Sequence, residues 1–227
     1  MKKQEYSIND LQALAHMGDS DAQWRLGHAF RWGRGVEKNA IEAIKWAKLS
    51  ADQDNSNGQW LLGDMYSYGD GVEKDYSEAV KWIQRSAVQG NATGQYFLGI
   101  RFDTGDGVIE DEKQAEKWLL LSANQGDQWA QWYLGGYYDF RENKAEAYKW
   151  LHLSAEQGNS EAQYDLGRLY EEDNDYTAAK KWLHLSAEQG NSGAQYHLGI
   201  LYEKNNNYAA AKKWLNLAKK NGVPPNP

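Results

Sequence analysis

The sequence predicts an all-α fold made of repeated helix pairs, and three observations support this prediction. The same residues recur at a nearly constant spacing, apolar side chains follow a helical periodicity, and the only prolines are Pro224, Pro225 and Pro227. Because proline breaks helix interiors, a chain without it before residue 224 can be helical almost throughout. Eleven tryptophans and fifteen tyrosines provide apolar surface for a packed core, which argues against a disordered chain.

Three columns of residues define the repeat. A Leu-Gly pair, an alanine and a tryptophan each recur six times, at spacings of 36 and then 32 residues. The Leu-Gly pairs end at Gly27, Gly63, Gly99, Gly135, Gly167 and Gly199. The tryptophans are Trp46, Trp82, Trp118, Trp150, Trp182 and Trp214, and an alanine precedes each by three residues. A fixed period of this length is typical of stacked helical repeats.

These columns predict one solenoid domain over residues 1–227. Its parts are an amino-terminal cap helix at 7–19, repeats at 20–55, 56–91, 92–127, 128–159, 160–191 and 192–222, and a tail at 223–227. A single helix pair cannot bury its apolar face, whereas stacked neighbours form a continuous core. We therefore expect six repeats to pack in series behind the cap helix.

Each repeat contains two amphipathic segments. In the fifth repeat, residues 160–171 and 176–189 carry apolar side chains at helical spacing. Gly190 closes the repeat, where glycine suits the left-handed end of a helix, and the Asn191 side chain can cap the next helix. We expect the Leu-Gly glycines to allow close helix approach, the repeated tryptophans to be core, and the lysine before each tryptophan to face solvent.

The change of period falls in the loop between the two helices of a repeat. Repeats one to three carry Gly-x-Gly-Val in this loop, as at 69–72. Repeats four to six lack these residues and are four residues shorter. In repeats five and six, the connection turns through Asp-Asn and Asn-Asn. A phosphate-binding loop also contains Gly-x-Gly, but that motif follows a strand. Here the motif lies three times inside a helix pair, which favours a plain connection.

The motifs of the second repeat resemble the Sel1-like repeat, a family of tetratricopeptide-like α-solenoids. The matching residues are Gln59, Leu62, Gly63, Tyr66, the segment 69–76, Ala79, Trp82, Ala87 and the segment 89–91. The resemblance extends over residues 10–222. It implies a right-handed superhelix of antiparallel helix pairs that serves as a protein–protein interaction scaffold, mostly in bacteria. The cysteine-rich secreted branch of the family fits poorly, because this chain has no cysteine.

The composition of the chain restricts the classes of partner that we expect it to bind. A formal net charge of −7 argues against nucleic acid, because phosphate binding needs a basic surface. The chain lacks any stretch of about 18 consecutive apolar residues, so we expect no membrane span. Its first ten residues are too polar for a secretory signal peptide. Together with the absence of cysteine, these features predict a cytoplasmic protein whose partner is a protein or peptide.

The resemblance also implies where a partner binds. Solenoids of this type use the concave groove lined by the first helix of each pair. Aromatic residues are concentrated in the first helices of the amino-terminal repeats, and such residues supply contact area at interfaces. The predicted partner-binding residues are Trp24, His28, Trp32, Trp60, Tyr68, Tyr96, Trp129, Trp132 and Phe140. The alternative is that these aromatics form the core between helices.

Catalytic motifs are missing from the sequence. The five histidines lie in columns that elsewhere hold other residue types, which predicts surface positions for residues such as His152. There is no His-Glu-x-x-His motif for zinc, no Gly-x-Ser-x-Gly elbow, and carboxylate pairs such as Glu171–Glu172 are interpreted as solvating. We therefore predict no catalytic residues, no metal, no cofactor and no enzymatic activity.

Three functions stay open at this point. The leading hypothesis is a scaffold or adaptor that binds a peptide or protein surface in the groove. The first alternative is a cytoplasmic immunity or regulatory protein that neutralises a bacterial toxin or effector. The second alternative is a glycan-binding or cell-wall-related enzyme. Four lysines between residues 205 and 227 are interpreted as a solubilising cap, with a basic docking site as the other reading.

Overall fold

The computed structural model describes residues 6–222, and these residues form α-helices and no strands. Thirteen helices lie in this range: α1 Ile8–His16, α2 Ser20–Trp32, α3 Ala40–Ala51, α4 Ser56–Tyr68, α5 Tyr76–Val88, α6 Ala92–Thr104, α7 Glu112–Asn124, α8 Gln128–Phe140, α9 Lys144–Glu156, α10 Ser160–Glu172, α11 Tyr176–Glu188, α12 Ser192–Lys204 and α13 Tyr208–Lys220. The all-α prediction is confirmed. The predicted tail, 223–227, lies outside the described residues.

The helices belong to two compact units, and the chain passes from the first to the second between Gln125 and Gly126. The first unit contains α1 to α7 and the second contains α8 to α13. Within each unit, the first helix of a repeat packs on the second helix of the same repeat, as α4 does on α5. That second helix also contacts the first helix of the following repeat, as α5 contacts α6. Each unit is therefore a stack of helix pairs, which is the packing of a solenoid.

The ends of the repeats follow the sequence prediction. The closing glycines have positive φ, for example +95° at Gly190, and Asp54 takes the same left-handed conformation at +57°. The next residue then caps the following helix, and Asn191 accepts a hydrogen bond from the backbone N–H of Ala194. The corresponding caps are Asp19, Asn55, Asn91, Asp127, Asn159 and Asn191. Both predictions about these ends are confirmed.

The predicted packing roles of glycine and tryptophan are also confirmed. A Cβ atom on Gly63 would lie 2.8 Å from the backbone oxygen of Ala79, so glycine is required for α4 to approach α5. Trp46, Trp150, Trp182 and Trp214 are buried, and the other two members of the column are half-buried. The lysines before the tryptophans are exposed, and Lys149 lies 4.6 Å from the centroid of the Trp150 ring.

A second set of buried side chains, which the sequence analysis did not single out, joins the helices through hydrogen bonds. A glutamine in each first helix is buried, and we call this set the glutamine column: Gln23, Gln59, Gln95, Gln131, Gln163 and Gln195. Gln95 donates to the backbone oxygen of Ala87 in α5 at 3.2 Å, and its own side-chain oxygen accepts from Gln125 at 2.7 Å. One amide therefore connects the preceding repeat to both helices of its own repeat.

None of the helices between residues 6 and 222 is both long enough and apolar enough to cross a lipid bilayer.

The second glycine of the Gly-x-Gly-Val loop provides the first testable prediction. Gly71 has a φ of +75°, and an added Cβ would overlap the backbone oxygen of Ala40 at the start of α3. Gly90 has a φ of +86° but has open space around its Cβ position. We expect Gly90→Ala to cost about 1–2 kcal/mol, from the left-handed backbone alone. Gly71→Ala should cost a further ~1–3 kcal/mol, because the neighbouring backbone must move.

Urea unfolding followed by far-UV circular dichroism would measure both variants beside the wild type. The Gly90→Ala variant is the matched control, because it has the same backbone strain without the overlap. Equal unfolding midpoints for the two variants would contradict the proposed steric cause.

Candidate partner-binding surface

The nine predicted binding residues divide into two groups by their exposure. Trp32, Tyr68, Trp129 and Phe140 are exposed, with 55%, 67%, 46% and 86% of their surface accessible. The other five are half-buried: Trp24, His28, Trp60, Tyr96 and Trp132. All nine lie on the first helices of their repeats. Each of the two units brings together its own subset of the nine residues.

In the first unit, the exposed rings of Trp32 and Tyr68 lie against one buried arginine. The guanidinium of Arg31 is 5.1 Å from the ring centroid of Trp32 and 5.8 Å from that of Tyr68. Arg31 is only 3% exposed. It donates to Asp64 at 2.5 Å and to Asp70 at 2.9 Å. The arginine is thus held by two carboxylates and supports both aromatic rings through cation–π contacts.

The charges around Arg31 extend into the third repeat. Arg101 is buried and pairs with Asp106 at 3.0 Å, and its guanidinium lies 5.2 Å from the Tyr76 ring centroid. Burial raises the pKa of the Asp64 carboxyl, while the positive charge of Arg31 acts in the opposite direction. Arg101 occupies a column that holds Ala29, Met65 and Leu169 elsewhere, so a charge in an apolar column was the available sequence signal.

His28 lies between the two tryptophans of α2. Its ring centroid is 6.1 Å from that of Trp24 and 6.5 Å from that of Trp32. Trp24 in turn donates its indole N–H to Asp21 at 2.6 Å. Burial, together with the nearby positive charges of Arg34 and Arg31, lowers the pKa of His28 to about 4. The imidazole is therefore neutral at pH 7 and packs as an aromatic ring.

Trp60 and Tyr96 both pack against one phenylalanine of the third repeat. The Trp60 and Phe97 rings are stacked, with centroids 6.0 Å apart and an interplanar angle of 12°. Tyr96 lies tilted against the same ring at 5.2 Å. Trp60 also packs against the buried cluster that contains Leu61 and Met65. These contacts favour a packing function between repeats for this pair.

In the second unit, Trp129 and Trp132 form an edge-to-face pair with ring centroids 6.1 Å apart. Trp132 donates its indole N–H to Oδ2 of Asp165 in α10 at 2.7 Å. Burial raises the pKa of Asp165, and the Trp132 hydrogen bond opposes that shift. Phe140 is the last residue of α8 and the most exposed of the nine.

A small cavity of about 170 Å³ is lined in part by Asp165, the acceptor of the Trp132 hydrogen bond. Its lining residues are Gly136, Asp139, Leu151, Asp165, Arg168 and Leu169. A larger, open depression of about 530 Å³ lies between α10 and α12. There, His197 Nδ1 is 2.8 Å from Glu171, so Glu171 is paired as well as solvated.

The prediction that His152 lies on the surface holds only in part, because this residue is half-buried, and the same is true of His184, its equivalent one repeat later. His152 Nε2 is 2.9 Å from the Tyr170 hydroxyl, and its ring meets the Trp182 ring edge-on at 5.5 Å. His184 repeats both contacts with Tyr202 and Trp214. Burial lowers the pKa of both histidines. The variation of residue type at this position therefore means that a half-buried site accepts side chains of several shapes, and it does not mean that the side chain is fully exposed.

Acidic side chains and histidines are not gathered into a metal site in the part of the chain that the structure describes, residues 6–222: no group of three or more is placed to hold an ion.

The pKa of His28 provides a second prediction. Its folded-state value of about 4 lies below the ordinary value of about 6.5. The neutral ring therefore contributes stability that is complete above about pH 6.5 and is lost as pH falls towards 4. We expect the melting temperature of the wild type to fall more steeply over this range than that of His28→Gln. NMR titration of the His28 ring should give a midpoint near 4; a midpoint near 6.5 would contradict the burial of this residue.

Several solved structures are similar to this chain. A protective antigen of uropathogenic Escherichia coli strains, which displays an SLR fold, is 34% identical with a TM-score of 0.75. The match covers 95% of this chain and 49% of the antigen, so this chain spans about half the length of that protein. A Sel1 repeat protein from Oxalobacter formigenes is 27% identical with a TM-score of 0.83, and the match covers 95% of this chain and 100% of that one.

An immunity protein from Pseudomonas aeruginosa also shares the fold, at 20% identity and a TM-score of 0.62, with 89% and 81% of the two chains covered. A comparison with curated proteins found no match. The family model of the Sel1 repeat matches six times, at residues 20–55, 56–91, 92–127, 128–159, 160–191 and 192–223. The matched segments together cover most of the sequence, and this chain therefore belongs to the Sel1 repeat family.

Proposed function

We propose that this chain is a protein-interaction scaffold that binds a peptide or protein surface through the first helices of its repeats. The observation that carries the proposal is the exposure of four large aromatic side chains on those helices: Trp32, Tyr68, Trp129 and Phe140. Large aromatic residues are common at the energetic centres of protein interfaces, because they bury much apolar area with few rotatable bonds. Packing within each unit leaves much of these rings accessible.

The surroundings of these rings support the proposal. Trp32 and Tyr68 lie against Arg31, which two carboxylates hold in place. Trp129 lies against Trp132, which Asp165 holds through its indole N–H. Side chains that are already ordered lose less conformational entropy on binding. We therefore assign the contact with the partner to the four exposed rings, and the half-buried aromatics to the support beneath them.

A more specific form of the same proposal is an immunity or regulatory protein that neutralises one toxin or effector. The observation that favours it is the shared fold with an immunity protein of Pseudomonas aeruginosa, at an identity that shows the fold alone. Tight 1:1 binding that blocks the activity of a single partner would favour this form, and weak binding of several partners would favour a general adaptor. We propose the cytoplasm as the compartment, because the chain contains no cysteine.

Partner capture with matched variants tests the proposal. The full chain would be immobilised and exposed to a lysate of its own organism, with mass-spectrometric identification of bound proteins. The two test variants are Trp32→Ala with Tyr68→Ala, and Trp129→Ala with Phe140→Ala. The control is Ile41→Ala with Ile109→Ala, which removes two exposed apolar side chains that lie outside the first helices.

We expect a partner captured by the wild type and the control to be lost from at least one aromatic variant. Calorimetry with the purified partner should show affinity weakened at least about tenfold, since residues at interface centres contribute about 2 kcal/mol or more each. A partner that both aromatic variants retain at wild-type affinity would refute the assignment of the surface. Circular dichroism must show the wild-type helix content in each variant.

A further inference from the structure

Trp129 departs from a hydrogen bond that other repeats make. In two repeats the asparagine that caps a first helix also donates its side-chain N–H to the second residue of the preceding repeat, whereas Asn55 donates to the first residue, Ser20. Asn91 donates to Asn57 at 2.9 Å, and Asn191 donates to Glu161 at 3.1 Å. For Asn159, the second residue of the preceding repeat is Trp129, whose side chain has no acceptor atom. Asn159 is 5% exposed, and its Nδ2 makes no hydrogen bond among the described residues.

We expect the unpaired side-chain nitrogen of Asn159 to lower the stability of the repeat. A buried amide N–H without a partner loses its water hydrogen bonds on folding and gains nothing in return. The Trp129 ring does not compensate by becoming buried, because 46% of it stays exposed. Positions at which a local rule is broken without a gain in packing are typical of functional sites.

Gly136 is a second departure, about two turns further along α8. Glycine is unfavourable inside a helix compared with alanine. The preceding Gly135 is required, because a Cβ there would overlap the Leu151 side chain, whereas a Cβ on Gly136 would have no atom within 4 Å. The column of Gly136 holds His28, Asp64, Ile100, Arg168 and Ile200 in the other repeats. Its missing side chain therefore serves no contact, and it leaves the cavity of about 170 Å³ open.

The lining of this cavity combines an apolar wall with negative charge. Leu151 and Leu169 supply apolar surface, and Asp139 and Asp165 supply two carboxylates. Arg168, the basic lining residue, pairs with Glu172 at 3.2 Å. Trp132 donates to Asp165, so its indole lies next to one of the two carboxylates. The volume is below the range of about 300–1,000 Å³ for whole small-molecule sites, which suits a single amino-acid side chain.

Charge complementarity then selects the occupant. The first helices of the second unit contain six acidic residues, Asp139, Glu161, Asp165, Glu171, Glu172 and Glu203, and two basic ones, Arg168 and Lys204. A lysine or arginine has an aliphatic stem for the apolar wall and a cation for the carboxylates. Its charge can also interact with an indole face.

We propose that the cavity at Gly136 binds a lysine or arginine side chain of the protein partner, while Trp129 and Trp132 pack against the same partner segment. This inference rests on the proposed function as a scaffold, because it names the chemistry that the surface recognises. Both departures in α8 then serve the same binding function. Trp129 provides exposed contact area, and Gly136 leaves the entrance of the cavity open.

Capped tripeptides test the inference on the full chain. The probes are acetyl-Gly-Lys-Gly-amide and its arginine, norleucine and glutamate analogues, because norleucine keeps the aliphatic stem and removes the charge. The readout is the NMR shift of the indole N–H signals of Trp129 and Trp132 during titration. We expect the lysine and arginine peptides to bind at least about tenfold more tightly than the norleucine peptide, and the glutamate peptide not to bind.

Three variants locate the binding. Gly136→Leu fills the cavity and should abolish the shifts, whereas Ile100→Leu, in the same column of the first unit, should leave them unchanged. Asp139→Asn with Asp165→Asn keeps the shape and should remove the preference for lysine over norleucine. This pair keeps the test valid if Gly136→Leu does not fold.

Gly136→Ala should raise the melting temperature by about 2 °C, since its Cβ meets no atom and alanine favours the helix.

Several results would overturn the inference: equal binding of lysine and norleucine, no binding of either, shifts that persist in Gly136→Leu, or a stronger response to cello-oligosaccharides than to lysine. A lower melting temperature in Gly136→Ala would show that the glycine is structural. Failure here is distinguishable from failure of the scaffold function. A captured protein partner that is lost with Trp129→Ala and Phe140→Ala, without any lysine preference, refutes only the chemistry proposed for the cavity.

Discussion

The glutamine column is the constraint on which the rest of the structure depends. Each of these buried amides needs partners on neighbouring helices, and in Gln163 they are the backbone oxygen of Ala155 and the side chain of Gln189. A shift of one residue between helices would leave buried amides without hydrogen bonds, which is costly. The column therefore sets the register of each first helix against two others. Buried serines such as Ser186, which donates to the backbone oxygen of Ser160, act in the same way.

Because the glutamine column sets the register of the helices, residues at the surrounding positions can differ between repeats. In the first unit, some of these positions hold buried ion pairs, in which Arg31 supports two exposed rings. A buried ion pair adds little net stability, because desolvation offsets the attraction between the charges. Its effect here is geometric, since Asp64 and Asp70 hold the guanidinium against Trp32 and Tyr68. The second unit has instead a glycine and two carboxylates beside a tryptophan pair. The two units thus present different chemistry on equivalent helices.

The departures from the repeat are as informative as the repeat itself. Asp54 replaces a closing glycine and still adopts positive φ, so that departure leaves the backbone conformation unchanged. Trp129 and Gly136 are different, because Trp129 offers no acceptor to the side-chain nitrogen of Asn159, which makes no hydrogen bond, and Gly136 leaves an open cavity. Both lie on the same helix as the exposed Phe140. A repeat protein can accept such losses locally, since each repeat depends mainly on its immediate neighbours.

The sequence by itself determined the helix pairs, their caps, the glycines at close contacts and the tryptophan core, because these depend on periodicity and on local backbone chemistry. Only the tertiary structure decided which first-helix aromatics are exposed, how Arg31 is buried and where His152 lies. Helical periodicity shows which side of its own helix a residue occupies. Its burial depends on the side chains that the next helix presents there, such as Tyr170 and Trp182 beside His152. Those contacts link residues of different repeats, and no single column of the sequence contains them.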